Sequence, residues 1–163
     1  MMLSLPTTVS AAETNTNVSP DNREYLIVNG EDIVYVGEDY ENPDTGEYIR
    51  WHNTRGTDKH FSFRISYSVT SSSFKINGTK VKVTANAEVQ NLQEVTQSGY
   101  DGHLYTVSII GIVNRNLQFS VGGTQSGTIT GLQKGGSYKV KITNNDYLDA
   151  TKKLVGSGTV YSY

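Results

Sequence analysis

Residues 128–144, TITGLQKGGSYKVKITN, carry the most informative pattern of the 163-residue chain. The run Thr128–Thr130 is rich in β-branched residues, which is typical of a strand. Leu132 and the glycine pair at 135–136 follow, and such a pair indicates a turn. From Tyr138 to Ile142 apolar residues alternate with lysines, which predicts a strand with one buried face. The stretch therefore predicts two strands joined by a tight connection.

The spacing of Leu132 and Tyr138 around this turn resembles the Leu-x-Pro-Gly-x-x-Tyr turn of fibronectin type III domains, with Lys134 at the usual proline position. In that family the tyrosine forms the corner between two strands that cross from one sheet to the other. The resemblance is confined to residues 128–144 and concerns the fold alone. It implies that Tyr138 is buried over Leu132 and that its hydroxyl bonds to backbone near the turn at 131–135.

Other strand patterns lie on both sides of this stretch. The strongest runs from His60 to Thr70, where apolar and polar residues alternate, and it predicts one strand with a core-facing side. Residues 104–113 form a dense apolar run, which predicts a strand buried on both faces or crossed by neighbours. Two Asn-Gly pairs, at 29–30 and 77–78, lie between strand-like runs and predict hairpins with type I′ turns.

Together these patterns predict an all-β chain of about nine or ten short strands, with turn signals every 8 to 12 residues or so. We expect a two-sheet antiparallel β-sandwich of the immunoglobulin-like kind, with a jelly roll or closed barrel as the alternative. No run of about 18 apolar residues exists, so no membrane-spanning helix is predicted. The chain has no cysteine, which excludes disulfides, thiol catalysis and thiolate metal sites.

The N-terminal residues differ in composition from the rest. Residues 1–12, MMLSLPTTVSAA, resemble the end of a secretory signal peptide, with a short apolar run, Pro6 and small residues at 9–11. The basic segment of such signals is missing, so either the signal is clipped at its start or the resemblance is accidental and the segment is a disordered native N-terminus. Residues 13–24 are polar and predict a flexible arm, and residues 25–163 predict a single sandwich domain. We therefore expect a protein secreted by a bacterium.

Charge is unevenly distributed along the chain. Residues 13–58 hold eleven acidic and three basic side chains, whereas residues 59–163 hold five acidic and eleven basic ones. Such asymmetry can steer association, so self-association is one expectation; contact between the two parts of one molecule is the alternative. The chain as a whole is slightly acidic and lacks interleaved aromatic and basic residues, so we expect no nucleic-acid partner. An anionic envelope polymer such as teichoic acid suits the lysine-bearing strands better, although lysines also protect strand edges.

The motifs of catalysis are missing from the sequence. There is no nucleophile elbow, phosphate loop or dinucleotide motif, so we expect no enzyme and no catalytic residue. The three histidines lack the spacing of a zinc site. Oxygen ligands close together in sequence suit calcium, and an acidic loop around Gly46 offers four of them; a solvated acidic turn is the alternative, and no other cofactor is expected. The candidate calcium ligands are Asp39, Glu41, Asp44 and Glu47.

Aromatic residues are the candidates for ligand contact, because exposed rings stack on sugars while polar neighbours bond the hydroxyl groups. The predicted ligand-binding residues are Tyr40, Trp51, Tyr100 and Tyr147, with a place in the core as the alternative for Trp51. We expect a secreted, non-enzymatic binding or structural domain at the bacterial cell surface or in the medium, with an extracellular glycan or protein as its partner. The alternatives are a carbohydrate-binding module, a secreted effector or bacteriocin-like toxin, and a hydrolase.

The signal-like start generates the first prediction. If residues 1–12 are the end of a signal peptide, the exported protein should begin near Ala12 or Glu13. Mass spectrometry of the intact exported protein measures this directly. An exported form that retains Met1 would contradict the signal-peptide interpretation.

Overall fold

The computed structural model describes residues 17–18, 24–28, 32–35, 40–53 and 58–163. The predicted signal segment, residues 1–12, lies outside the described residues, as does most of the predicted arm at 13–24. The described part of the arm includes a two-residue strand, Asn17–Val18. Side chains are described for residues 41–52 and 58–163.

The described residues form fourteen strands in three antiparallel sheets. A small sheet contains, in this order, β1 (Asn17–Val18), β2 (Glu24–Val28) and β3 (Asp32–Tyr35). A six-stranded sheet contains β4 (Tyr40–Glu41), β5 (Tyr48–Asn53), β6 (Asp58–Ile65), β9 (Val81–Asn91), β12 (Gln125–Ile129) and β14 (Lys152–Ser162), in the order β12-β9-β14-β6-β5-β4. A five-stranded sheet contains β7 (Ser68–Thr70), β8 (Phe74–Lys75), β10 (Leu104–Ile110), β11 (Asn114–Ser120) and β13 (Ser137–Asn144), in the order β11-β10-β13-β7, with β8 also paired to β13.

The two large sheets form a sandwich with jelly-roll connectivity. If β7 and β8 are taken together, every connection from β6 to β14 passes between the sheets except the β10–β11 hairpin. The resulting orders, β6-β14-β9-β12 and β7-β13-β10-β11, are those of an eight-stranded jelly roll. The two-sheet antiparallel sandwich is therefore confirmed, and its connectivity follows the jelly-roll alternative rather than the immunoglobulin-like pattern. A local turn does not specify which distant strands pair.

The core lies between the inward faces of the two large sheets. Phe61, Phe63 and Ile65 of β6 are buried, as their alternation predicted. The ring centroid of Phe63 lies 6.2 Å from that of Tyr105 on the opposite sheet, and Tyr105 lies 5.9 Å from Phe119. Aromatic contacts of this kind add to the free energy of burial and link the sheets across the sandwich.

Strand β14 lies between β9 and β6. Two of its glycines face the core and leave room there for phenyl rings of β6. Gly158 is paired with Phe61, and Gly156 with Phe63. A Cβ atom at Gly158 would lie 2.5 Å from Cζ of Phe61, and one at Gly156 would lie 2.1 Å from the backbone oxygen of Asn86 and 2.6 Å from Cζ of Phe63. Real Cβ contacts are not that short, so only glycine allows both phenyl rings to pack over the centre of the sheet.

The predicted single strand from His60 to Thr70 is in fact two strands in different sheets. β6 ends at Ile65, and β7 begins at Ser68 in the five-stranded sheet. Val69 is buried as expected, but Tyr67 is 80% exposed because it lies at the crossing between the sheets. The alternation stays in phase through this crossing, so the sequence pattern does not reveal it.

The two Asn-Gly pairs have different outcomes. β2 and β3 do form a hairpin, but Val28 pairs with Asp32, so the loop has three residues rather than the two of a type I′ turn. The second pair does not form a hairpin, because β8 and β9 belong to different sheets. A Cβ atom at Gly78 would collide with the carbonyl oxygen of Tyr163, so this glycine allows a close approach of two chain segments.

The tyrosine corner is confirmed. Tyr138 is 1% exposed, and its hydroxyl oxygen accepts a hydrogen bond from the backbone N–H of Gln133 at 2.8 Å. Leu132 is buried in the same core, and the connection does carry the chain from one sheet to the other. The local motif is therefore present without the immunoglobulin-like connectivity.

Tyr105 is a second buried tyrosine, and its hydroxyl group differs from that of Tyr138 in its hydrogen bonding. Its hydroxyl group has no hydrogen-bond partner among the described residues. Burial raises the pKa of Tyr105 to about 12, because the charged phenolate would be desolvated. An unpaired buried hydroxyl group usually costs about 1–3 kcal/mol.

These two tyrosines generate a paired prediction. Tyr138→Phe removes a buried hydrogen bond and should lower the free energy of unfolding by roughly 1 kcal/mol. Tyr105→Phe removes only an unpaired hydroxyl group and should leave the free energy unchanged or raise it. Urea denaturation of both variants and the parent measures the difference. Equal destabilisation by the two substitutions would contradict the hydrogen-bond assignment.

Candidate functional site

The candidate calcium ligands with described side chains, Glu41, Asp44 and Glu47, have three different surroundings. Glu41 Oε2 lies 3.6 Å from Nη2 of Arg50, Asp44 is exposed in the turn, and Asp39 lies outside the described residues. Glu47 is buried, and its Oε2 accepts hydrogen bonds from the backbone N–H groups of Ser66 and Tyr67 at 3.1 and 3.2 Å. Within 41–52 and 58–163, no group of three or more histidine or acidic residues could hold a metal ion.

Glu47 instead accepts hydrogen bonds from backbone N–H groups at the point where the chain crosses between the sheets. Glu47→Ala should therefore lower the free energy of unfolding by about 1–3 kcal/mol, because two partly buried N–H groups would lose their acceptor. Glu47→Gln keeps an acceptor oxygen and should cost less, and Asp44→Ala is the control for an exposed acid of the same loop. Thermal unfolding measures all three. A melting temperature that depends on calcium, and that Asp44→Ala also changes, would favour the metal site instead.

The candidate aromatic residues occupy different places. Trp51 lies in the core, 7% exposed, with its ring centroid 5.3 Å from that of Phe74, which is the placement given as its alternative. The side chain of Tyr40 lies outside the described side chains. Tyr147 is 86% exposed, and Tyr100 is half-buried against His103.

The loops that carry Tyr100 and Tyr147 meet at one end of the sandwich. The backbone N–H of Leu104, just after the first loop, donates to Oδ2 of Asp146 at 2.7 Å. Asn145 donates in turn to the carbonyl oxygen of Leu104 at 3.0 Å. The two loops therefore lie next to each other, and a role in ligand binding stays a prediction for both tyrosines.

The outer face of the six-stranded sheet offers a different candidate site. Cross-strand pairing places short polar side chains side by side in two rows across the strands. In one row Asn86 of β9, Ser157 of β14 and Ser62 of β6 are neighbours. In the next row Thr84, Thr159 and His60 are neighbours on the same three strands. We call this surface the polar face.

A β-bulge lies at one border of the polar face. Trp51 pairs with Phe61 and Asn53 with His60, so one extra residue, His52, is inserted in β5. Bulges redirect side chains and are frequent beside functional sites. The exposed ring of His52 contacts the hydroxyl oxygen of Ser62 through Nε2 at 2.8 Å.

His60 is held in place by two neighbours. Its Nδ1 lies 3.1 Å from Oγ1 of Thr159, and its Nε2 lies 3.2 Å from Oδ2 of Asp58. Nε2 can donate a hydrogen bond to the carboxylate, and Nδ1 can pair with the threonine hydroxyl, which both donates and accepts. The ring is therefore oriented by the protein before any ligand arrives.

The polar face contains an open groove of about 270 Å³. Its lining holds hydroxyl, amide and imidazole groups, and it includes no lysine, arginine, aspartate or glutamate. Lys59 is adjacent to His60 in sequence but is buried, and this burial lowers its pKa, with Asp58 acting in the opposite direction. The lining residues are His52, His60, Phe61, Thr84, Ala85, Asn86, Thr124, Ser157, Gly158 and Thr159.

An aromatic ring borders the groove along one long side. Tyr161 follows Thr159 by two residues on the same strand, so it lies on the same face. Its side chain is 43% exposed and stacks on Tyr163, with 5.7 Å between the ring centroids. Further along β5, the Arg50 guanidinium lies over the ring of Tyr48, 3.8 Å from its centroid. Hydrogen-bonding groups thus form the floor of the groove, and the Tyr161 ring stands at one margin.

Sequence reasoning did not identify this groove. Alternation correctly assigned His60 and Ser62 to the solvent side of β6, but the groove also needs residues of β9 and β14 that lie far away in sequence. The density of Ser, Thr and Asn at solvent-facing positions of these strands was the available signal. Among the described residues, no helix is long and apolar enough to cross a membrane.

Comparisons with known proteins give only distant likenesses. No protein-family model matches the chain. No curated protein matches it either.

Among solved structures, the cupin domain of Drosophila melanogaster CENP-C is 14% identical, with a TM-score of 0.28 over 91% of this chain and 84% of that one. TmCBM61 in complex with β-1,4-galactotriose is 9% identical, with a TM-score of 0.28 over 71% of this chain and 66% of that one. A family two carbohydrate esterase from Cellvibrio japonicus is 13% identical, with a TM-score of 0.28 over 78% of this chain and 30% of that one. Such low TM-scores carry no argument about function.

Proposed function

We propose that this protein is a non-enzymatic binding domain whose polar face takes a neutral carbohydrate. The observation that carries the proposal is the groove. Its lining is a set of hydroxyl, amide and imidazole groups, and it contains no aspartate, glutamate, lysine or arginine side chain. Carbohydrates present many hydroxyl groups, each both donor and acceptor, and these side chains can serve both roles. The Tyr161 ring at the margin offers apolar surface for a sugar ring.

The same lining weighs against charged ligands. Nucleic acid and teichoic acid require cationic side chains that neutralise phosphate, and the groove has none. Two cations lie next to the polar face by strand pairing, Arg50 opposite Ser62 and Lys82 opposite Tyr161, and both are outside the lining. A neutral glycan therefore suits the groove better than an anionic polymer does.

We do not assign a reaction to the Thr159–His60–Asp58 contacts, although a hydroxyl, an imidazole and a carboxylate in line resemble a nucleophilic relay. The side chains of His60 and Asp58 are 46% and 53% exposed, so water screens their interaction. In the proposed role these contacts orient His60 for hydrogen bonding. The place of action that we propose is outside the cell, and it rests on the signal-like residues 1–12.

Binding of neutral oligosaccharides tests the proposed function. We expect cello-, xylo-, manno- or galacto-oligosaccharides to bind in isothermal titration calorimetry and to be recovered unchanged. Asn86→Ala and Tyr161→Ala should each weaken binding about tenfold, which corresponds to about 1.4 kcal/mol. Asn116→Ala, an exposed asparagine on the outer face of the other sheet, and Tyr147→Ala are the matched controls.

Two outcomes would contradict the proposal. Loss of binding in Tyr147→Ala but not in Asn86→Ala would place the ligand at the loop tyrosines instead. Cleavage of the sugar that Thr159→Ala abolishes would show an enzyme.

A further inference from the structure

We infer that the ligand is a linear polysaccharide chain whose axis crosses the strands of the six-stranded sheet. This inference rests on the proposed function and adds the shape and direction of the ligand. The strand positions of the lining residues give the length and width of the groove and show what lies at its sides and at one end.

The length of the groove follows from strand order. His52 lies on β5, His60 on β6, Ser157 on β14 and Asn86 on β9, while Thr124 immediately precedes β12. These strands are consecutive neighbours in the sheet. Four spacings of about 4.8 Å separate β5 from β12, so the groove extends about 19 Å across the sheet.

The width follows from the register. On β9 the lining covers only residues 84–86, and on β14 only residues 157–159. Two residues of a strand advance about 6.6 Å, so the groove is about one third as wide as it is long. A single sugar ring would occupy only part of such a trough, whereas an extended chain of rings matches its shape.

The long sides and one end of the groove suit an internal segment of a chain. Tyr161 stands at one long side, and Glu88 and Arg64 flank the other through their pairing with Val155. At the β12 end, Thr124 and Gln125 are exposed and β12 is the edge strand, so a chain can continue past the sheet. The geometry therefore favours a polymer rather than a terminal sugar as the natural ligand.

The experiment compares oligosaccharides of one to six units from each neutral series by calorimetry with the full chain. We expect affinity to rise with length, with the hexasaccharide binding roughly tenfold or more tightly than the disaccharide. His52→Ala and Thr124→Ala change opposite ends of the groove, and each should weaken the hexasaccharide. A disaccharide is too short to reach both ends, so at least one of the two substitutions should leave its affinity unchanged.

The outcomes separate this inference from the proposed function. If a monosaccharide binds as tightly as the hexasaccharide, and both lose affinity in Asn86→Ala, the site stands and the extended-chain inference is wrong. If the hexasaccharide binds more tightly but neither end substitution affects it, the crossing direction is wrong. If no oligosaccharide binds, the proposed function fails and this inference fails with it.

Discussion

The packing of two phenyl rings against two glycines is the contact on which the six-stranded sheet depends. Phe61 and Phe63 occupy the space that side chains at Gly158 and Gly156 would need. Because the rings fill this space, β14 can lie between β6 and β9 while the core stays closely packed. A larger residue at either glycine would have to displace an aromatic side chain that is buried between the two sheets, or the backbone beside it.

The same strand also serves the outer surface, because side chains of a strand point alternately to the two faces. Gly156 and Gly158 face inward, and the residues between and after them, Ser157 and Thr159, line the groove. The core requires small residues at the inward-facing positions of this segment. The groove has short polar residues at the outward-facing positions that alternate with them. The low-complexity appearance of residues 156–159, GSGT, is thus the result of two separate constraints.

Local chemistry could be predicted from the sequence, whereas long-range pairing could not. The buried alternation of β6 and the corner at Tyr138 were predicted correctly, because both depend on residues within about ten positions of each other. The crossing at Tyr67 was missed because the alternation stays in phase through it, and the hydrogen bond from its backbone N–H to Glu47 joins residues twenty positions apart. The groove was missed for a related reason: Asn86 and Ser157 become neighbours only through the register of β14 against β9.

The central position of β14 has a consequence for how the chain reaches this structure. Its partners on β6 and β9 precede it by about 100 and about 65 residues, as the pairs Val160–Lys59 and Leu154–Val89 show. During synthesis, β6 and β9 are therefore complete while the strand that joins them has not yet been made. Unpaired strand edges of this kind promote aggregation, and pairing over such long separations is slow. The nascent chain thus has two open edges until residue 162 emerges, and a chaperone that shields extended segments would protect it during that interval.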